Sequence, residues 1–299
     1  MMKAKSIVRS MRLRTLPLSL SGIVLGVLIA SKTSDIKPLS VVFLVLTAVL
    51  LQILSNLSNE LGDSLNGVDT KARKGKRYSI QSEEMTVEGM RRLIAITTLA
   101  CCASGLAMIW FCVDSLTSYV ALLFVALGIC AIAAATRYTL GPKPYGYRGL
   151  GDILVFIFFG LVTVCGAYFL MTMTLPPASI LLPASSIGCL SVAVLNVNNI
   201  RDMKSDAATR KTVALRLGLK GARIYQTCLI AGAWALMLVY FLLIKVKPAG
   251  GLFILTMPAF YFHLKGVWTK TDSELDPMLP LLVMGTFFFA LLSGVAILL

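Results

Sequence analysis

Apolar residues in this chain gather into runs of about twenty, separated by shorter stretches that collect most of the charge. About twenty mainly apolar residues is the length a helix needs to cross a hydrocarbon core. Nine such runs fall at approximately 15–31, 39–58, 92–113, 117–139, 152–172, 178–199, 224–244, 250–268 and 279–298. The pattern predicts an all-α, polytopic membrane protein: a bundle of nine transmembrane helices forming one domain over 1–299. Five basic residues precede the first run and imitate the start of a signal peptide. No small-residue cleavage site leads from it into a soluble stretch, so it is read as a retained helix.

Composition agrees with this reading. Of 299 residues, 57% are hydrophobic and only 14% charged, with a mean hydropathy of +0.83. Soluble domains carry roughly 25% charged residues. The net charge of +14 is also unevenly placed. With nine spans, 24 of the 28 Lys and Arg lie on the side that holds the N-terminus, leaving Lys32, Lys37, Lys245 and Lys247 opposite. Cytoplasmic segments accumulate Lys and Arg. The expected topology therefore has a cytoplasmic N-terminus and an outer C-terminus in a bacterial cytoplasmic (inner) membrane. Sorting accounts for the positive charge, and nucleic-acid binding is not needed to explain it.

Against this apolar background two polar clusters stand out. "NLSNELGDSLNGVDT" (56–70) ends the second run, and "NVNNIRDMKSDAATRKT" (196–212) ends the sixth, on the same side. Asn59 and Asp63 are four apart, as are Asp202 and Asp206, so each pair shares a helix face. Asn199 falls near the second face. Like charges on one face repel unless a cation lies between them, and ionisable groups at membrane depth are functional candidates by default. Oxygen donors without His or Cys suit a hard cation, Mg²⁺ or Ca²⁺, of which Mg²⁺ completes its shell with water and phosphate oxygens. Either cluster alone could merely solvate a loop. Two on one side, both rich in Asn–Asp pairs, point to a Mg²⁺–diphosphate held between them. Basic residues follow each cluster, and Arg201, Arg210 and one or two of Arg73, Lys76 and Arg77 are candidates to neutralise the departing charge.

A third stretch, "RYTLGPKPYGYRGLGD" (137–152), joins the fourth and fifth runs. It reads either as an interfacial turn with aromatic anchors and an acid, Asp152, at a helix start, or as a wall of tyrosines, with Tyr138 and Tyr145 facing an aromatic acceptor or a carbocation. All seven cysteines lie in or beside predicted spans without metal-site spacing, and read as small packing residues. His263, the one histidine, reads as a polar contact between helices.

Taken in order, "RLRTLPLSLSG", "NLSNELGDSLNGVD", "YTLGPKPYGYRGLGD" and "VLNVNNIRDMKSD…KTVALRLG" resemble the UbiA superfamily of intramembrane prenyltransferases over the whole chain. The likeness extends to its 1,4-dihydroxy-2-naphthoate polyprenyltransferase branch. The resemblance implies a metal set of Asn59, Asp63 and Asp69 from the first motif and Asn199, Asp202 and Asp206 from the second. It implies a polyprenyl diphosphate ionised to an allylic cation, attack by 1,4-dihydroxy-2-naphthoate or a similar aromatic acid, loss of CO₂, and demethylmenaquinone as product. The prenyl tail would run between helices into membrane lipid. On this reading Tyr138 and Tyr145 flank the cation or acceptor, and Asp152 orients a naphthoate hydroxyl. Glu60 stands where the family often has Asp, which suggests a role away from the metal. "AATRKT" is one residue shorter than the family pattern, so either Arg210 or Lys211 takes the basic role. Another acceptor, such as 4-hydroxybenzoate, is the nearest alternative. A transporter is the rival from a different class, although transporters place polar sites near the bilayer midplane.

Overall fold

The computed structural model describes residues 4–67, 79–113, 117–207 and 209–299. Its elements are helical: α1 (Ala4–Met11), α2 (Leu16–Ala30), α3 (Pro38–Leu65), α4 (Val87–Cys112), α5 (Tyr119–Arg137), α6 (Gly151–Val155), α7 (Thr163–Thr172), α8 (Leu181–Asp206), α9 (Val213–Leu243), α10 (Met257–Thr269) and α11 (Met278–Leu298). A π-helical segment, Phe156–Val162, joins α6 to α7 into one span. Among the described residues eight helices are long and apolar enough to cross a membrane. The remaining predicted run, 250–268, is a 3-10 stretch, Pro248–Thr256, leading into the 13-residue α10. This is an integral membrane protein.

Among the described residues the acids of both clusters, Glu60 and Asp63 in the first and Asp202 and Asp206 in the second, lie on helix rather than in loops. α3 runs on to Leu65 and α8 to Asp206, so each motif is presented by the last two turns of a long apolar helix. The helix starts carry local signals. Pro38 occupies the first turn of α3, and the hydroxyls of Thr86, Ser118 and Thr212 accept the third backbone N–H of α4, α5 and α9. The expected 224–244 run is the straight part of a longer α9. Its first turn is set off by a kink at Gly218, whose φ of +68° suits glycine.

Packing places α8 and α11 at the centre, with 56% of their most apolar windows buried, and α5 outermost with 6%. α2 lies against α7 through Gly22 and Gly26. A Cβ on Gly26 would stand 2.5 Å from the Val164 carbonyl oxygen, and one on Gly22 would stand 2.1 Å from the Thr163 hydroxyl. Small residues four apart are how apolar helices approach closely where lipid removes the hydrophobic drive. A buried polar chain ties α8 to α11. Asn196 donates to Gln226 Oε1 (2.8 Å) and to the Ala222 carbonyl (3.0 Å). The Gln226 amide nitrogen meets His263 Nε2 at 2.9 Å, and His263 Nδ1 meets the Met278 carbonyl at 3.0 Å. An amide nitrogen only donates, so Nε2 accepts and Nδ1 carries the proton.

The α2–α7 approach leaves no room for a side chain at Gly26. Gly26→Leu is expected to lower stability by about 2 to 3 kcal/mol through overpacking against backbone, seen as a reduced melting temperature in detergent, with Gly166→Leu, in open space, as the tolerant control.

Candidate functional site

Three stretches of chain meet where the two acidic motifs end. α3 presents Gln52, Asn56, Asn59 and Asp63 as a polar stripe on the wall of a cavity of about 340 Å³. From α8 come Asn198 and Asn199. The connection 138–151 adds Tyr138, Thr139, Tyr145 and Gly151, while Arg210 closes the polar end. Much of the remaining wall is apolar, including Leu18, Leu154, Phe158, Phe159, Val162 and Val283. A polar end joined to a long apolar wall is suited to an amphipathic ligand with a compact charged head.

Local sequence explains the approach of these stretches. Gly62, one residue before Asp63, lets Thr139 lie directly on α3; a Cβ there would stand 2.5 Å from the Thr139 hydroxyl. That hydroxyl is shared between the Ser58 carbonyl (2.9 Å) and Asn59 Oδ1 (3.2 Å). Asn66 donates to the Gly62 and Thr139 carbonyls. On the far side, the Lys211 amide donates to the Tyr147 carbonyl at 3.0 Å.

Charge is concentrated at Arg210. Its guanidinium bonds Asp63 Oδ1, lies 3.7 Å from Asp206 Oδ1 and sits 4.7 Å above the Tyr147 ring. Burial works against the charge, yet Asp63 and Asp206 outweigh it and hold the guanidinium more firmly protonated than usual. The Tyr147 hydroxyl donates to the same Asp63 oxygen at 2.8 Å. Burial first, and then the Asp63 charge, push this phenol up. The basic role left open between Arg210 and Lys211 therefore has a clear geometric candidate in Arg210.

The remaining expected residues are distributed less uniformly. Arg201 grips both oxygens of its neighbour Asp202 (2.8 and 2.7 Å) and also bonds Asn198 and Asp276. Asp206 is buried, and its backbone carbonyl accepts from the Arg210 amide. Tyr138 and Tyr145 meet edge to face, with centroids 5.3 Å apart, and Tyr145 donates to the Ala134 carbonyl at 2.6 Å. Asp152 is buried and accepts from Tyr225 at 3.1 Å, so its carboxylate is engaged with α9. Glu60 is buried and accepts the Ile80 amide, binding α3 to the 79–84 turn. Asp69, Arg73, Lys76 and Arg77 lie outside the described residues.

Sequence reasoning passed over Arg12 and Arg14, which line the same cavity, because charge sorting already explained them. A sequence signal existed: "RLRT" sits immediately before the first apolar run, and the structure breaks the helix there, with Arg12 at φ +50°. Asn56 fixes this break by donating to the Met11 carbonyl and the Thr15 hydroxyl.

The donor set fits Mg²⁺ in kind. The Asn and Asp side chains of the two motifs offer oxygen, and neither motif contains a thiol or an imidazole. Among the described residues no three carboxylate, imidazole or thiol groups close on a common point.

The model of the UbiA prenyltransferase family matches residues 19–292. The chain belongs to that family. Among curated members, the 1,4-dihydroxy-2-naphthoate octaprenyltransferase of Escherichia coli (strain K12) is 39% identical over 285 residues, covering 95% of this chain and 92% of that one. The enzyme of the same description from Haemophilus influenzae is 37% identical, covering 96% and 94%. The fold matches the apo structure of a UbiA homolog from Aeropyrum pernix K1 with a TM-score of 0.68 at 16% identity, covering 97% of both chains. A UbiA homolog from Archaeoglobus fulgidus, bound to GPP and Mg²⁺, matches at 0.63 and 15% identity over 98% of this chain and 99% of that one.

Within this UbiA member, removing Arg210 would leave Asp63 and Asp206 close together without their shared counter-ion. Arg210→Gln is expected to cost about 3 kcal/mol of stability in detergent, and adding Asp63→Asn to recover a large part of it. Because the Tyr147 phenol titrates above its ordinary value, its bond to Asp63 persists below about pH 10 and weakens only as pH rises further. Melting temperatures of the wild type and Tyr147→Phe should accordingly differ by a constant offset between about pH 6 and 9.

Proposed function

We propose that this protein transfers a polyprenyl group from polyprenyl diphosphate to 1,4-dihydroxy-2-naphthoate, releasing diphosphate and CO₂ and forming demethylmenaquinone in its hydroquinone form. The observation that carries this reading is that two relatives described as 1,4-dihydroxy-2-naphthoate octaprenyltransferases cover more than 90% of both chains at 37–39% identity. The cavity supports it independently: a charged end for a diphosphate and an apolar wall for an isoprenoid.

The chemistry needs an allylic C–O bond to break with its electron pair leaving on the diphosphate. Asn59, Asp63, Asn199, Asp202 and Asp206 would hold Mg²⁺, with Asp69 a further candidate, and the bound ion supplies positive charge against the diphosphate oxygens. Arg210 and Arg14, which both line the cavity, would bind the released diphosphate. The ring faces of Tyr138 and Tyr145 would stabilise the allylic cation, whose lifetime depends on the apolar wall excluding water. The naphthoate ring carbon bearing the carboxylate then forms the new C–C bond, and CO₂ departs with its pair returned to the ring. No electrons are gained or lost, so the immediate product is the hydroquinone form of demethylmenaquinone. The tail beyond the cavity would extend between helices into lipid. The basic-residue asymmetry supports a bacterial inner-membrane protein whose N-terminus and site face the cytoplasm.

The test incubates purified protein with a polyprenyl diphosphate, Mg²⁺ and 1,4-dihydroxy-2-naphthoate, with 4-hydroxybenzoate in parallel. Prenylated naphthohydroquinone, recovered as the quinone after oxidation by air during work-up, and stoichiometric CO₂ are expected, abolished by chelation and reduced at least about 100-fold in Asp63→Asn and Asp202→Asn. Product from 4-hydroxybenzoate alone would replace the acceptor. No product from either, with protein that remains folded, would overturn the enzyme reading.

A further inference from the structure

The two motifs hold their carboxylates in different states. Asp63 receives Tyr147 and Arg210 on one oxygen. Asp202 has both oxygens covered by the planar fork of Arg201, a geometry that binds a carboxylate strongly. A second cation reaching Asp202 must compete with that guanidinium. Arg201 already reaches another carboxylate, however: its third nitrogen donates to Asp276 at 3.0 Å.

Asp276 is placed by its own segment rather than by Arg201. Thr271 and Glu274 close a capping box around the 3-10 turn Asp272–Leu275, and the Leu275 side chain is wholly buried beside Asp276. Asp272 on the same turn pairs with Lys204, one turn beyond Arg201 on α8. The acceptor is therefore anchored, while Arg201 is a long side chain able to redistribute between two carboxylates.

We propose that Asp276 is a positioning residue for the second acidic motif: it draws Arg201 away from Asp202 when that carboxylate takes up a divalent cation with diphosphate. The inference rests on the proposed site for Mg²⁺–diphosphate. It acts on cation uptake, and it leaves turnover at saturating metal to the residues lining the cavity. Asp276 does not line that cavity, and neither do Arg201 and Asp202.

The experiment measures binding of Mn²⁺, a spectroscopically visible substitute for Mg²⁺, to full-length protein in the presence of inorganic diphosphate. Wild type, Asp276→Asn, Asp276→Glu, Arg201→Met and the Arg201→Met/Asp276→Asn double variant are compared. Asp276→Asn should bind Mn²⁺ about fivefold more weakly than wild type, raise the metal concentration for half-maximal activity by the same factor, and leave the maximal rate within about twofold. Asp276→Glu should restore most of the affinity. In the Arg201→Met background the Asp276→Asn change should have no effect, because nothing remains to be drawn away. A persisting loss in that background would mean that Asp276 acts only as a nearby negative charge, and would overturn the exchange. Unchanged Mn²⁺ affinity in Asp276→Asn would overturn the inference alone. Absence of Mn²⁺ binding by folded wild type would overturn the metal site itself, and the inference with it.

Discussion

Two carboxylates from different helices share one buried guanidinium, and the architecture of the site end depends on that arrangement. Asp63 closes α3 and Asp206 closes α8, and neither helix has an intrinsic reason to bring its acidic end toward the other. Arg210 provides one, lying within ion-pair distance of both. At an effective dielectric near 20, typical of such sites, a unit charge pair at about 4 Å interacts by roughly 4 kcal/mol, enough to set geometry although desolvation consumes much of it. Holding Arg210 there also fixes the 209–212 segment, and the Lys211 amide then fixes the carbonyl of Tyr147. The tyrosine-bearing connection is thereby pinned between the two motifs.

α8 carries a further tension. It is among the most buried spans, yet it bears Asn196, Asn198, Asn199, Asp202 and Asp206 within three turns. The structure resolves this by partnering most of these residues, some across to other elements and some within α8 itself. Asn196 joins the chain through Gln226 to His263, Asn198 and Asp202 are gathered by Arg201, and Asp206 meets Arg210. The reading of His263 as an interhelical contact agrees with its position in that chain. Its ring is oriented by the Met278 carbonyl at the start of α11.

Hydrophobic runs were legible because lipid solvation imposes a length and an apolar composition on every span, and most runs reappear as helices. The run at 250–268 was legible as apolar but not as a 3-10 stretch followed by a short helix. The motif residues were legible because acids are rare in such a chain. Their partners were less so. Asp276 lies 75 residues from Arg201, and Tyr225 lies 73 from Asp152; no periodicity links residues on separate helices. Tyr147, which bonds Asp63, could not be ranked above Tyr138 and Tyr145 by type or spacing. Arg12 and Arg14 were hidden by a sufficient explanation, since topological sorting accounts for any basic residue on that side.

The π-helical segment has its own consequence. Phe156–Val162 winds more residues into each turn than the α-helices on either side, so the span from Gly151 to Thr172 holds surplus chain. Gly160 is pressed onto Gly188 and the Ala184 carbonyl at one point, and Asp152 is bonded to Tyr225 at another. The surplus allows both registrations at once. A relative lacking one residue in this segment would revert to a regular helix and rotate one contact away from its partner by roughly 100°. The length of this segment, more than the identity of its side chains, therefore acts as the phase setting between the tyrosine-bearing mouth and the centre of the bundle.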